Sequence, residues 1–350
     1  MKKRIIIVLT LSYLLITAVF SQTSLYSPGK LSQDKNLKDT FIPPDQKGIE
    51  EHFWKVEDKI FLYHFSQGKG KPILIIHGGP GLPPYSPWQG LASVKGYSFT
   101  YYHQRGCGNS TQPVDKFESQ NFIQNLSVLN KLLGIKTQLA DIERIRHLLK
   151  QDKLIIIGHS YGAFLATLYA FEFPERVEKL VLISPADVLA LPSTHGGMDQ
   201  MRKYLSLGEQ EEFDAFLKEY FNYGTLFLKN EEELARINSG FAKFYAAALE
   251  KKGVGLAGGT EGTKGIGGWM VHALYLSLGM KYDLREHVKK ISAPVLVIHG
   301  ARDIQSEIVG QEYSILAQEG IFKVIVEASH FAFNERPEEF ASLIRDFFSH

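Results

Sequence analysis

Four stretches of this chain, "KPILIIHGG", "DKLIIIGHS", "EKLVLISPA" and "APVLVIHGARD", run apolar without interruption and then stop in small or polar residues. A strand with one wet face alternates polar and apolar residues, so runs like these need cover on both faces. "KIFLYHF", "YSFTYYHQRG" and "FKVIVEASH" add further strand patterns, and helical patterns fall between them. "TQLADIERIRHLLKQ" sets Leu139, Ile142, Ile145 and Leu149 on one helical face, and "SYGAFLATLYAFEFPERV" and "PEEFASLIRDFF" read as helices too. The alternation predicts an α/β fold: a mostly parallel sheet with helices on both faces. The 350 residues, 44% of them hydrophobic, suffice for one such core.

Between 187 and 288 the strand runs give way to helical patterns: "MDQMRKYLSLG", "EQEEFDAFLKEYFNYG", "EEELARINSGFAKFYAAALEKK" and "WMVHALYLSLGM". The organisation expected is a core from 49 to 186 and from 289 to 350, with 187–288 inserted before the last strands as a helical cap. A Gly-rich piece in it, "KGVGLAGGTEGTKGIGG", suits either a lid element or a surface loop.

The chain opens with "MKKR" and sixteen mostly apolar residues, then Val19 and Ser21 in the small-residue positions of a cleavage site. This is the layout of a signal peptide over 1–21, and sixteen residues fall short of a comfortable membrane span. Export is therefore expected, to the periplasm or the medium, with no membrane association after cleavage. Residues 22–48, polar with Pro and Gly, read as a linker or a loosely docked arm. The lone Cys107 excludes an intrachain disulfide framework and any multi-cysteine metal site. A net charge of +1 gives no electrostatic footprint for nucleic acid. No His/Asp/Glu cluster has ligand spacing, so neither metal nor cofactor is expected. Nothing in the sequence bears on oligomeric state.

The chemistry starts at Gly158-His159-Ser160-Tyr161-Gly162, which follows a strand and opens a helix. A strand that reverses sharply into a helix crowds the positions two before and two after its corner, and glycine fits both. Such a corner strains Ser160 and exposes its hydroxyl at the carboxyl edge of the sheet. A serine hydroxyl is a weak nucleophile near neutral pH and needs a base and an orienting acid. With a serine on this corner, the acid and then the histidine follow in chain order. Asp303 lies just past one late strand and His330 just past the next, so both fall at the edge that carries Ser160. Asp283 and Glu327 are weaker candidates for the acid. Among the other histidines, His159 is expected to point away from the hydroxyl, His299 to pack, and His350 is terminal. "HGGPG", residues 77–81, ends an early strand and supplies backbone donors for a developing oxyanion. The two N–H groups expected there are those of Gly79 and Tyr161, with Gly78 permitting close approach.

With HGGPG, GHSYG, Asp303 and His330 in this order, the chain resembles the α/β-hydrolase fold, and more narrowly the prolyl aminopeptidase (proline iminopeptidase) branch. "YHQRGCGNS" is similar to that branch's Asp-Gln-Arg-Gly-x-Gly-x-Ser segment, with His103 in place of the acid, and "DIERIRHLL" to its following helix. The resemblance implies a hydrolase core over roughly 50–186 and 290–350. It also implies a serine peptidase that releases N-terminal proline or another small residue from short peptides, through an acyl-enzyme. Gln104 and Arg105 are expected to brace the HGGPG loop, and Cys107 to be inert.

Relatives with this activity hold the substrate's α-amino group with cap carboxylates. Here Asp199, Glu209, Glu211, Glu212, Glu231, Glu232 and Glu233 are available, mostly in charge runs typical of solvated helix faces, and none can be singled out. Gly268-Trp269 only faintly resembles the branch's aromatic cap segments. A carboxylesterase or amidase on small acyl substrates uses the same three residues, since pocket shape decides between them. A binding protein of this fold with little turnover is the third reading. Ser160 argues against dehalogenase and epoxide hydrolase chemistry, which place Asp at that position.

Overall fold

The computed structural model describes residues 25–29, 31, 41–254 and 263–350. The segment read as a signal peptide, 1–21, and part of the Gly-rich piece, 255–262, lie outside the described residues. The strands are β1 (Phe53–Glu57), β2 (Ile60–Gly68), β3 (Gly70–Ile76), β4 (Gly96–Tyr102), β5 (Leu154–His159), β6 (Val177–Ile183), β7 (Ala190–Leu191), β8 (Tyr282–Asp283), β9 (Val295–Gly300) and β10 (Gly320–Ile325). Before β6 come the helices α1 (Phe122–Leu133), α2 (Ile135–Leu148) and α3 (Tyr161–Glu172). Between β6 and β9 lie α4 (Gly197–Arg202), α5 (Leu207–Tyr220), α6 (Glu231–Ser239), α7 (Phe241–Lys251), α8 (Trp269–Leu278) and α9 (Arg285–Val288). The chain closes with α10 (Glu307–Leu316), α11 (Ala332–Glu335) and α12 (Pro337–Ser349).

Eight strands form one sheet in the order β1-β2-β4-β3-β5-β6-β9-β10. β4, β3, β5, β6, β9 and β10 are mutually parallel, and β1 and β2 extend one edge antiparallel. The unbroken apolar runs occupy the centre: every residue of β5 and β9 is buried. Leu74, Ile76, Ile156 and Leu182 pack on the layer with α3, whereas Ile73, Ile75, Ile155 and Ile157 pack on the layer with α12. Two-sided burial is thus why these strands do not alternate.

The helical pattern "EEELARINSGFAKFYAAALEKK" divides at Gly240 into α6 and α7. Glycine lets Phe216 of α5 come close, because an added Cβ at 240 would lie 3.0 Å from its ring. α8 falls inside the segment expected to be a cap, yet all of it but Tyr275 is buried, and it packs against α1 and α2. It is apolar all round, so no face of it suits water. Of the other inserted helices, α4, α5 and α7 form a small core of their own around Phe213, Phe244 and Leu249, while Leu234 and Ile237 of α6 join the main core.

Two buried polar clusters tie the layers together. Arg105, after β4, grips Asp141 of α2 through two bonds of 2.8 and 2.7 Å, and reaches Glu57 of β1 at 3.1 and 3.0 Å. Arg144, one helical turn on from Asp141, bonds the same carboxylate at 2.7 Å. The second cluster docks the N-terminal arm. Glu172, buried at the end of α3, accepts from the Tyr26 hydroxyl at 2.5 Å and from the N–H groups of Gly29 and Leu31 at 2.7 and 2.9 Å. Tyr26 and Leu31 are buried, so this stretch is anchored rather than loosely docked. Replacing Glu172 by alanine leaves two backbone donors without an acceptor and should lower unfolding free energy by roughly 2–4 kcal/mol, read from denaturant midpoints.

Candidate active site

Ser160 stands between β5 and α3 with φ at +55° and ψ at −121°, in the left-handed half of backbone space that a non-glycine residue enters only under strain. Three neighbouring glycines make the corner possible. An added Cβ at Gly158 would lie 2.5 Å from the Gly162 carbonyl oxygen, and one at Gly162 would lie 2.1 Å from that of Ile76. At Gly78 it would come within 2.7 Å of the Ser160 Cβ and 3.3 Å of the Tyr161 nitrogen. The HGGPG loop therefore presses directly on the corner. Neither the Gly79 N–H nor the Tyr161 N–H has a protein acceptor among the described residues. Tyr161 is the first residue of α3, where N–H groups have no intrahelical partner and the helix dipole favours negative charge.

Asp303 follows β9 and His330 follows β10, as the strand endings predicted. The His330 Nδ1–H donates to Asp303 Oδ2 at 2.7 Å, and the other carboxylate oxygen accepts the Gln305 N–H at 3.0 Å. Burial alone would raise the Asp303 carboxyl, but His330 and these hydrogen bonds outweigh it and hold the group well below the usual carboxylate range. An ionised carboxylate only accepts, so Nδ1 carries the proton and Nε2 of His330 is left with its lone pair. Ser160 and His330 line one cavity of about 530 Å³, together with Gly78 and Gly79. Asp283 pairs with Arg285 and Glu327 with Arg302, both away from this line.

Several supporting contacts carry no sequence signal strong enough to find them. His159 does not merely turn aside. Its Nε2–H donates to the His330 carbonyl at 2.9 Å, and its ring packs beside Phe331 and Phe333. His299 reaches the Gln305 carbonyl at 3.2 Å and so holds the loop of Asp303. Glu335 accepts from the Ser329 backbone N–H, and from its hydroxyl at 2.6 Å, fixing the turn before His330. Gln104 braces the HGGPG loop: its N–H donates to His77 Nε2 at 3.1 Å and its side chain to the His77 carbonyl at 2.7 Å. Arg105 instead serves the ionic cluster under the loop. His103, in place of the resemblance's acid, accepts the Asn109 N–H on Nδ1 at 2.9 Å and donates from Nε2 to Pro84 at 2.8 Å. An aspartate could make only the first of these bonds. Cys107 is buried, and burial pushes its thiol up, as an inert cysteine requires.

None of Asp199, Glu209, Glu211, Glu212, Glu231, Glu232 and Glu233 lines the cavity. Glu231 is instead spent on the start of α8, accepting the Gly268 and Trp269 N–H groups at 2.6 and 2.8 Å. Glu209 and Glu233 close capping boxes, and Glu212 pairs with Lys243. Among the described residues the one carboxylate in the cavity wall is Asp187, in the loop after β6. It accepts from the Ser193 hydroxyl and, at 2.9 Å, from the Gly197 N–H, both on Oδ2. No group of three or more potential metal ligands occurs among the described residues, and no described helix is long and apolar enough to cross a membrane.

Burial is the main cause that lowers His159 to about 3. Its neutral form is therefore built into the folded state, while the unfolded chain takes up a proton near pH 6.5. Stability from this residue is full above that value and is lost as pH falls from about 6.5 toward 3. His159→Gln keeps an N–H donor but does not titrate. Between pH 7 and pH 5 that variant should lose about 2 kcal/mol less unfolding free energy than the parent, measured by urea titration at both values.

Comparison with known proteins accords with this geometry. Residues 71–337 match the family described as alpha/beta hydrolase fold. A proline iminopeptidase of Heyndrickxia coagulans is 28% identical over 287 residues, covering 80% of this chain and 91% of the relative. One from Lactobacillus delbrueckii subsp. bulgaricus is 26% identical over 292 residues, covering 79% and 88%. Among solved structures, an esterase from Exiguobacterium antarcticum superposes with a TM-score of 0.56 at 18% identity, covering 84% of this chain and 97% of that one. The proline iminopeptidase of Mycobacterium smegmatis does so with a TM-score of 0.54 at 17% identity, covering 83% and 95%. With its mostly parallel eight-stranded sheet and a family match across most of its length, the chain belongs to the alpha/beta hydrolase fold family.

Proposed function

We propose that the protein is a serine hydrolase that works through an acyl-enzyme, with Ser160 as nucleophile, His330 as general base and acid, and Asp303 as the orienting acid. The observation that carries this reading is the bond from His330 Nδ1 to Asp303 Oδ2, which leaves Nε2 free beside a cavity that also holds the strained Ser160. His330 Nε2 takes the Ser160 proton as Oγ attacks the substrate's carbonyl carbon, and Asp303 stabilises the imidazolium that forms. The N–H groups of Gly79 and Tyr161 receive the oxyanion, a contribution worth roughly 10²- to 10³-fold in kcat for each donor. The imidazolium then protonates the leaving group, and water hydrolyses the acyl-enzyme by the same steps.

Within this class the reading favoured is an aminopeptidase that releases N-terminal proline or another small residue from short peptides. The names of the curated relatives support it. So does Asp187: a substrate ammonium taken out of water needs a paired charge, and Oδ1 of Asp187 accepts no hydrogen bond from the described residues. A carboxylesterase or amidase is the second reading. It is favoured by the apolar part of the cavity wall, which includes Met201, Phe241, Val271 and Ile304. The layout of residues 1–21 supports export, and N-terminal sequencing of the exported protein should begin at Gln22.

A panel of prolyl amides and p-nitrophenyl esters tests these readings together. Ser160→Ala should lose about 10⁴-fold or more on every substrate with an unchanged circular dichroism spectrum, and retained turnover would exclude Ser160 as nucleophile. Proline-β-naphthylamide should be cleaved faster than its N-acetylated form. Asp187→Asn should raise KM for the free amine by about 10-fold and leave the esters unaffected. Equal rates on the two amides would favour the esterase.

A further inference from the structure

The loop that carries Asp303 is held from both sides. Within the loop the Gln305 N–H bonds Asp303, and from the sheet side His299 of β9 contacts the Gln305 carbonyl. From the other side comes α7 of the inserted helices. Tyr245 of α7 donates its hydroxyl to Asp303 Oδ1 at 3.3 Å, the carboxylate oxygen that His330 does not use. The same ring stands edge-on to the His330 imidazole, with centroids 5.5 Å apart. Just past the end of α7, Lys252 donates to the Asp303 carbonyl oxygen. The next residue, Ile304, is buried, and it packs not into the sheet's core but among Met201, Leu205, Phe213, Phe244, Ala248 and Leu249 of the inserted helices.

A side chain, a backbone carbonyl and an apolar anchor from one short loop thus all enter the inserted helices. We propose that Tyr245 is a positioning residue, through which the inserted helices align the Asp303 carboxylate toward His330, so that their seating and the competence of the acid–base pair are coupled. The proposal rests on the serine-hydrolase reading for its kinetic consequence but not for its geometry. The Tyr245 hydroxyl joins the Gln305 N–H in holding Oδ1, so that together they fix the rotation of the carboxylate and keep Oδ2 in line with His330 Nδ1. It also draws negative charge toward Oδ1. Removing it therefore leaves a more basic carboxylate, which holds the imidazolium more tightly. The titratable and charged groups facing this pair are His159 and His299 from the strands, Glu335 from α11, and Tyr245 and Lys252 from the insertion.

Tyr245→Phe keeps the ring and its packing and deletes only the hydroxyl. On an activated p-nitrophenyl ester, kcat should fall about 3- to 10-fold with KM within about two-fold. The acidic limb of the kcat/KM profile, which reports His330, should move up by about 0.3–0.5 pH unit. The downfield proton resonance of His330 Nδ1–H should also shift, a readout that needs no turnover. A folded variant with an unmoved limb and an unmoved resonance would overturn the proposal. So would a lowered thermal midpoint alone, since it would mean that Tyr245 only packs. If the parent shows no hydrolysis, the serine-hydrolase reading fails, while the resonance still decides the role of Tyr245.

Discussion

Three backbones meet at the carboxyl edge of this sheet with no side chain between them, and the rest of the site depends on that approach. A Cβ at Gly158, Gly162 or Gly78 would fall at or below 2.7 Å from atoms that cannot easily yield. Only with glycine at these positions can β5 turn into α3 beneath the HGGPG loop. The closure forces Ser160 to a φ of +55°, and the Tyr161 and Gly79 N–H groups near the corner have no acceptor among the described residues. Strain of this kind costs on the order of 1–3 kcal/mol and persists only where the surroundings over-determine it. Here buried strands on both sides of β5 do so.

Around that corner, buried polar groups are used to lock loops rather than to add stability outright. Arg105 joins Asp141 and Glu57, so the turn after β4 cannot drift from α2 or β1. Gln104, one residue earlier, passes that rigidity to the HGGPG loop through His77. On the other side His159, His299 and Glu335 fix the loops of His330 and Asp303 by bonding backbone groups. Neutral, buried histidines suit this work, since each can donate on one nitrogen and accept on the other without a charge to desolvate.

The inserted helices have a double part. α8 completes the core over α1 and α2, whereas α4, α5 and α7 roof the cavity and reach the Asp303 loop through Ile304 and Tyr245. The helices that roof the cavity are therefore also the ones that touch the Asp303 loop. Most of the acids in this segment are consumed by caps and surface pairs, and Asp187, outside the helices, faces the cavity instead.

The parallel sheet was legible from the unbroken apolar runs, because double-sided burial removes alternation from the residues themselves. The corner at Ser160 was legible because two of its glycines lie within five residues of chain, although what forbids a Cβ at Gly162 is the distant Ile76 carbonyl. The loops of Asp303 and His330 followed from chain order, since in a parallel sheet every such loop emerges at one edge. The sequence by itself determined these features because each is set by short-range sterics or by the period of burial. The insertion was another matter. That Glu231 caps α8, that Asp187 rather than a helical glutamate lines the cavity, and that Tyr245 reaches Asp303 were decided only by tertiary structure. Those contacts join residues tens of positions apart. A carboxylate in a charge run looks the same in sequence whether its partner is water, a backbone N–H or a substrate.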